Sequence, residues 1–138
     1  MLPFNWAQPK PLTVSNIKNT VQIHTDSIVL DSGQSIYFER KVLDAIKFKD
    51  FLIVLTDPTE NRRWNNENVF GYSINGELIW QIEELDLFHE NHDYTAIYFE
   101  DQELCLYNRC GVEVKINPAT GAVLSKELIK WYVKINVP

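Results

Sequence analysis

The stretch that decides the fold is FGYSINGELIWQI, residues 70–82. Apolar and polar residues alternate on both sides of its centre, Asn75-Gly76. An Asn-Gly pair between two alternating runs is a strong hairpin signal, because both central residues of a type I′ turn need positive φ. The stretch therefore predicts two antiparallel strands joined by a tight turn.

The same two-residue period runs through most of the chain, for example in residues 21–24, 112–116 and 131–137. Residues 51–55 (FLIVL) are apolar at every position, as in a central strand that is buried on both faces. Turn-forming residues separate the runs, and helical spacing covers only short segments that could not stand alone. The sequence predicts an all-β, antiparallel meander.

The chain also repeats itself. AIKFKD (45–50) is similar to AIYFED (96–101), and FGYSIN (70–75) aligns with VEVKIN (112–117). The offset falls from 51 to 42 residues, so the first copy carries nine extra residues, which fall in the loop 57–68. Four-stranded repeats of about 40–50 residues are typical of propeller blades. We predict an internal duplication of residues 44–82 and 95–128.

Two segments, INGELIW (74–80) and INPATGAVL (116–124), resemble PQQ-type β-propeller repeats. The resemblance implies a turn followed by an apolar strand that ends in a docking tryptophan. Trp80 matches that tryptophan, whereas Ser125 stands where the second one is expected. A closed propeller needs about four blades. Two blades, with part of a third from the N-terminal strands, predict a half-propeller-like sheet pair, a sandwich or a dimer.

Length and composition bound the remaining choices. The 138 residues, 45% of them hydrophobic, fit one all-β domain over residues 1–138 with a Pro-rich segment at 1–12. That segment lacks the pattern of a signal peptide, and no run of 18 apolar residues predicts a membrane span. Cys105 and Cys110 do not imply a disulfide, so we expect a reducing cytoplasm.

Charge is strongly segregated along the chain. Residues 64–108 contain no Lys or Arg and ten carboxylates, a net charge of −10, whereas the rest has 9 acids against 13 bases, a net +4. Such segregation acts on partners rather than on the fold. It favours a basic protein partner and disfavours direct contact with nucleic acid or an anionic membrane. The alternative is a face that serves solubility only.

The acidic segment 83–93 joins the two repeats and places apolar residues among carboxylates, a composition suited to docking on a basic surface. The loop 57–68 carries a tryptophan beside Arg62 and Arg63, and Trp and Arg are favoured interface anchors. That tryptophan could instead fold back over a sheet edge. The residues expected to bind a partner are Glu83, Glu84, Asp86, Phe88, Glu90, Asp93 and Trp64.

Residues suited to catalysis or metal binding are few. His89, His92 and Asp93 form one cluster with metal-ligand residue types, but a fourth ligand is not evident. Cys105 lies between two leucines and is expected to be a packed thiol, and His24 falls on the polar face of a strand. The sequence contains no nucleophile elbow, P-loop or dinucleotide-binding motif. We expect no cofactor, no metal and no enzymatic activity.

In size, acidity and lack of a catalytic motif the chain resembles immunity proteins of bacterial contact-dependent toxin systems. That resemblance implies a cytoplasmic inhibitor that covers the cationic active site of a basic, nuclease-type toxin. One alternative is a propeller-like interaction module, monomeric or homodimeric, that self-associates through unpaired strands. The other is a metal-dependent hydrolase that uses His89, His92 and Asp93.

Overall fold

A computed structural model of the chain describes residues 21–59, 64–85, 92–129 and 134–136. Residues 134–136 are described by their backbone only. The strands are β1 Gln22–Ile23, β2 Ser27–Val29, β3 Ser35–Tyr37, β4 Val42–Phe48, β5 Phe51–Thr56, β6 Val69–Ser73, β7 Leu78–Gln81, β8 Tyr94–Glu100, β9 Glu103–Asn108, β10 Val112–Ile116, β11 Val123–Ile129 and β12 Lys134–Asn136.

These strands form three antiparallel sheets, each a meander of strands that are consecutive in sequence. The N-terminal sheet has the order β1-β2-β3, the middle sheet β4-β5-β6-β7, and the C-terminal sheet β12-β11-β10-β9-β8. The predicted all-β, antiparallel fold is confirmed. The described residues include no helix long and apolar enough to span a membrane.

Strand β5, in the interior of the middle sheet, is buried on both faces. Leu52 and Val54 of β5 pack with the N-terminal sheet, whereas Ile53 and Leu55 pack with the C-terminal sheet. Side chains alternate between the two faces of a strand, so a strand between two apolar layers needs apolar residues at every position. This position in the stack explains the continuous apolar run at residues 51–55.

Trp80 of β7 joins the middle and C-terminal sheets. Its indole Nε1 donates a hydrogen bond of 2.7 Å to the carbonyl of Pro118, in the β10–β11 turn. The ring lies against two glycines: a Cβ at Gly71 would be 2.1 Å from it, and a Cβ at Gly121 would be 2.7 Å away. Absence of a side chain at both positions therefore makes room for the ring.

The hairpins β6–β7 and β10–β11 share a register irregularity. A bulge follows the pair Gly71–Trp80 in the first hairpin and the pair Lys115–Ser125 in the second. Ser125 therefore occupies in the C-terminal sheet the place that Trp80 holds in the middle sheet.

The turn at Asn75-Gly76 differs from the expected two-residue type I′ turn. Ser73 N–H donates to the carbonyl of Glu77, which closes a three-residue loop, and Gly76 alone in that loop has positive φ (92°). The Ser73 hydroxyl accepts the N–H groups of Asn75 and Glu77, each at 3.2 Å, and so supports the wider loop. A two-residue turn with positive φ at both positions occurs instead at Asp101-Gln102.

We expect Gly71→Ala to destabilise the protein by about 1–3 kcal/mol or more, because the added methyl group would overlap the Trp80 ring. The free energy of unfolding in urea measures this loss. The same change in a Trp80→Leu background should cost clearly less, because the ring is absent. Equal costs in both backgrounds would show that the glycine is needed for another reason.

Candidate functional site

The candidate site lies where the β5–β6 and β7–β8 connections meet the β9–β10 turn, at one end of the middle and C-terminal sheets. Four exposed residues there, Trp64, Glu67, Glu83 and Glu84, are called the loop-end surface. Beneath them, Asn66, His92, Asp93 and Arg109 hold the three connections together through side-chain contacts.

An ion pair anchors the site. Asp93 is fully buried, and its carboxylate accepts hydrogen bonds from Arg109 Nε at 2.7 Å and Arg109 Nη2 at 3.2 Å. These bonds raise the pKa of Arg109. The prediction that Asp93 faces a partner is therefore wrong, because both of its oxygens are directed at Arg109 inside the fold.

The guanidinium of Arg109 also lies under the tryptophan of the site, with its Cζ 5.2 Å from the centroid of the Trp64 ring. The Trp64 indole Nε1 donates a 2.8 Å hydrogen bond to Asn66 Oδ1. Two different contacts thus fix the ring, while 41% of Trp64 remains exposed. Trp64 is held in position and accessible at the same time.

A third group of contacts fixes Glu84 and His92. Asn66 Nδ2 donates to Glu84 Oε2 at 3.1 Å, and His92 Nε2 lies 3.4 Å from the same oxygen. The His92 backbone N–H donates to Asn66 Oδ1 at 3.1 Å. The buried His92 ring is thus directed at Glu84 and Asp93 at Arg109, so the two do not share a cation site. His89 lies outside the described residues.

Two buried asparagines fasten the backbone beneath the site. Asn68 Nδ2 donates to the carbonyls of Thr56 (2.8 Å) and Tyr94 (2.9 Å), and its Oδ1 accepts the Tyr94 N–H at 2.9 Å. Asn108 Nδ2 donates to the carbonyl of His92, and its Oδ1 accepts the Cys110 N–H. Sequence reasoning missed both asparagines, because a polar residue beside a strand reads as a turn signal.

The other predicted binding residues divide into two groups. Glu83 and Glu84 are exposed and belong to the loop-end surface, together with Glu67, which the sequence did not single out. Asp86, Phe88 and Glu90 lie outside the described residues. The acidic stretch does not form one continuous patch in the described chain, because Glu77 and Asp101 lie at the opposite end of the sheets.

Comparison with known families shows to which family the chain belongs. Residues 14–128 match the family described as Domain of unknown function (DUF7957). The chain belongs to this family. The match runs from before β1 to the penultimate residue of β11, so the whole loop-end surface lies within the DUF7957 domain. A comparison with curated proteins found no match.

A second polar cluster of the DUF7957 domain lies on the face of the C-terminal sheet that points away from the core. The atoms of Glu100, Cys105 and Glu113 that could ligate a metal, two carboxylate oxygens and one Sγ, lie within 4.8 Å of one another. Tyr98 donates a hydrogen bond to Glu113. Burial raises the pKa of Cys105 from 9.0 to about 11. A cysteine that ligates a metal must be deprotonated to the thiolate. The surroundings of Cys105 instead favour a protonated, packed thiol.

We expect Arg109→Ala to lower the free energy of unfolding by about 3 kcal/mol, because it leaves the buried Asp93 carboxylate without its counter-charge. Arg109→Lys should lose less, since it keeps the charge but not the two-pronged hydrogen bond. Urea unfolding of both variants at pH 7 measures this order. A loss below about 0.5 kcal/mol for Arg109→Ala would mean that the pair adds nothing to stability.

Tyr94 should make the DUF7957 domain sensitive to alkali. Its hydroxyl is buried without a hydrogen-bond partner among the described residues, and burial raises its pKa above the ordinary 10.0. Above pH 10 the folded state therefore keeps the Tyr94 hydroxyl proton that the unfolded chain releases. The stability that depends on this proton is intact below pH 10 and lost as pH rises further.

Tyr94→Phe removes that titration. Its free energy of unfolding should lie within about 1 kcal/mol of the parent at pH 7, because no hydrogen bond is broken, and should fall less steeply above pH 10. Tyr37→Phe, at a residue that is 75% exposed, should leave the alkaline loss unchanged. A large loss for Tyr94→Phe at pH 7 would contradict the assignment of an unpaired hydroxyl.

Proposed function

We propose that this protein is a non-enzymatic binding protein that takes a basic protein as its partner through the loop-end surface. The observation that carries the proposal is Trp64, an exposed aromatic ring held in place by Arg109 and by Asn66, whose amide also binds Glu84. Glu67 and Glu83 are exposed on the same two connections. An aromatic anchor within a polar rim is the usual composition of an interface hot spot.

Pre-organisation supports Trp64 as the anchor. Ordering a side chain on binding costs about 0.5–1.5 kcal/mol, and contacts that fix the ring beforehand reduce this cost. Both contacts to Trp64 come from groups that are themselves bound elsewhere: Arg109 to Asp93, and Asn66 to Glu84. The ring would therefore contribute its apolar area to a complex at little entropic cost.

Charge supports a basic partner. The rim of the loop-end surface consists of glutamates, and the base beneath it, Arg109, is bound to buried Asp93. A surface of one sign speeds the encounter with a surface of the opposite sign, and the apolar centre then slows dissociation. Residues 64–108 carry no Lys or Arg, and the bases that border this stretch are Arg63 and Arg109.

The specific form of the proposal is a cytoplasmic immunity protein that neutralises a nuclease-type toxin of a bacterial contact-dependent system. A nuclease must expose Lys and Arg to grip phosphates. The loop-end glutamates would pair with these residues, and the body of the inhibitor would cover the active site. Neither Cys105 nor Cys110 forms a disulfide in the described part of the chain, which is compatible with a reducing compartment.

Two charge-reversed variants test where the partner binds. Glu67→Lys with Glu83→Lys alters the loop-end surface, and Asp50→Lys with Glu77→Lys makes the same change in net charge at the opposite end of the middle sheet. The tagged protein first captures a basic protein from its host's lysate, and the affinity of that purified protein is measured at 50 and 200 mM salt. We expect the loop-end variant to lose at least about tenfold and the control to lose little.

Equal losses of affinity in both variants would show that binding depends on net charge and not on the loop-end surface. No loss of affinity in either variant would overturn the assignment of the surface. The inhibitor form is tested separately: the captured protein must be a nuclease, and the parent protein must suppress its activity on DNA or RNA at equimolar amounts. A captured protein without nuclease activity would leave a basic-protein binder and remove the immunity role.

The alternative function is self-association through exposed apolar side chains, because Leu78 of the edge strand β7 and Leu124 at the start of β11 are 56% and 62% exposed. Two antiparallel β7 strands paired in the register centred on Trp80 would, however, place Glu77 of each copy opposite Glu83 of the other. Like charges directly opposite one another destabilise a strand pair. A sedimentation coefficient that rises with protein concentration between about 5 and 500 μM would favour the self-associating module over the inhibitor.

A further inference from the structure

A cleft of about 280 Å³ opens between the N-terminal and middle sheets. Its walls combine four aromatic rings, Tyr37, Phe38, Phe70 and Tyr72, with polar side chains that include Glu39 and Arg40. Sites for drug-sized ligands enclose about 300–1,000 Å³. The cleft is therefore suited to one side chain or a small ring rather than to a larger cofactor.

The aromatic wall is a packed unit. The Phe38 ring lies 5.9 Å from Phe70 at an interplanar angle of 57° and 5.6 Å from Tyr72 at 80°. Such tilted packing fixes ring orientation. Tyr37, next to Phe38 in sequence, adds a ring that is 75% exposed at the mouth of the cleft. Aromatic faces carry negative electrostatic potential and attract cations.

The charged groups that line the cleft are one carboxylate, Glu39, and one guanidinium, Arg40. Arg40 Nη1 donates to the carbonyls of Pro58 (3.0 Å) and Asp57 (3.5 Å), and the Asp57 carboxylate is near enough to interact with its charge. Arg40 is thus held by two backbone carbonyls, and it shares the Asp57 carboxylate with Lys41. Glu39 is exposed, and within the described part of the chain no cation pairs with it.

We propose that the cleft binds a guanidinium group, the side chain of an arginine on the basic partner. The aromatic faces would stack on the planar cation, and the Glu39 carboxylate would accept its hydrogen bonds. An arginine fits better than a lysine, because a guanidinium is flat, delocalised and less strongly hydrated than an ammonium ion. The commitment to a cation rests on the aromatic rings together with Glu39, a lining carboxylate that pairs with no cation in the described part of the chain.

The cleft adjoins the loop-end surface. Asn65 Oδ1 accepts the Glu67 N–H at 2.8 Å, and Gln81 Nε2 donates to the Glu67 carbonyl at 2.8 Å, so two lining residues hold the backbone of a loop-end glutamate. A partner seated on Trp64 could place an arginine in the cleft. The source of the arginine rests on the proposed function, whereas the preference of the cleft for a guanidinium does not.

The test uses small probes and the full chain. Nα-acetyl-L-arginine amide is titrated into ¹⁵N-labelled protein, and amide shifts report binding and its position. We expect shifts at residues 37–40 and 70–72, with weaker binding of Nα-acetyl-L-lysine amide. The citrulline analogue, which has nearly the same shape without the charge, should not bind. A citrulline analogue that binds equally well, or preferential binding of Nα-acetyl-L-glutamate amide, would overturn the proposal.

Variants locate the interaction. Glu39→Gln and Tyr37→Leu should each weaken arginine-amide binding by about two- to fivefold, the range expected for one exposed cation–π contact or charge pair. Glu77→Gln, an equal charge change at the far end of the middle sheet, should have no effect. Tyr37 and Glu39 are both exposed, so these substitutions leave the core unchanged. Unchanged binding in Glu39→Gln and Tyr37→Leu would also overturn the proposal.

The two proposals fail separately. If the arginine probe does not bind but a basic protein still requires the loop-end glutamates, the cleft assignment alone is wrong. If the probe binds at the cleft and the Glu67→Lys, Glu83→Lys variant still captures the partner fully, the loop-end assignment alone is wrong.

Discussion

The structure depends on the place of one indole ring between two sheets. Trp80 leaves β7, crosses over Gly71 of its own sheet and meets Gly121 and the Pro118 carbonyl of the next. A β-sheet with two apolar faces must be covered on both sides. The ring closes one side of the middle sheet, and its indole N–H gives that apolar contact a fixed direction.

The loop-end surface follows from the same stacking. Docking of the two sheets brings the β5–β6 and β7–β8 connections beside the β9–β10 turn, and Asn68, Asp93 and Arg109 then join them. The base-free stretch begins at Trp64 and ends one residue before Arg109, and the fold brings these two residues into contact. The ends of the most acidic part of the chain thus meet at the site that we propose for partner binding.

Much of the fold was predictable, because a two-residue period and turn residues are local properties. The apolar run at 51–55 correctly placed a strand between two layers, and the glycines correctly marked turns. The register in which the strands pair was harder to predict from the sequence. The repeats align at offsets of 51 and 42 in sequence, whereas the equivalent pairs Gly71–Trp80 and Lys115–Ser125 lie 44 and 45 residues apart. Bulges and turn lengths shift the register, and residue similarity does not reveal them.

The candidate site was only partly predictable, for a related reason. Trp64, Glu83 and Glu84 could be found because composition and segregation of charge are visible in the sequence. The burial of Asp93 could not, because its partner Arg109 is sixteen residues away and reaches it only when β8 and β9 pair. The aromatic cleft likewise joins residues from β3, β6 and β7 across two sheets. Nothing in the local pattern of any of these strands indicates it.

The meander has a consequence for how the chain reaches its native state. Every strand in the three sheets pairs with a neighbour in sequence, so each sheet closes only short loops. Chains with such local contacts fold faster than β-proteins whose strands pair over long distances. A ribosome releases the chain from its N-terminus. Each sheet can therefore form as its strands emerge, before the following sheet has been synthesised. Trp80 can pack against the β10–β11 turn only after residue 121 has been synthesised. This contact therefore forms late in folding.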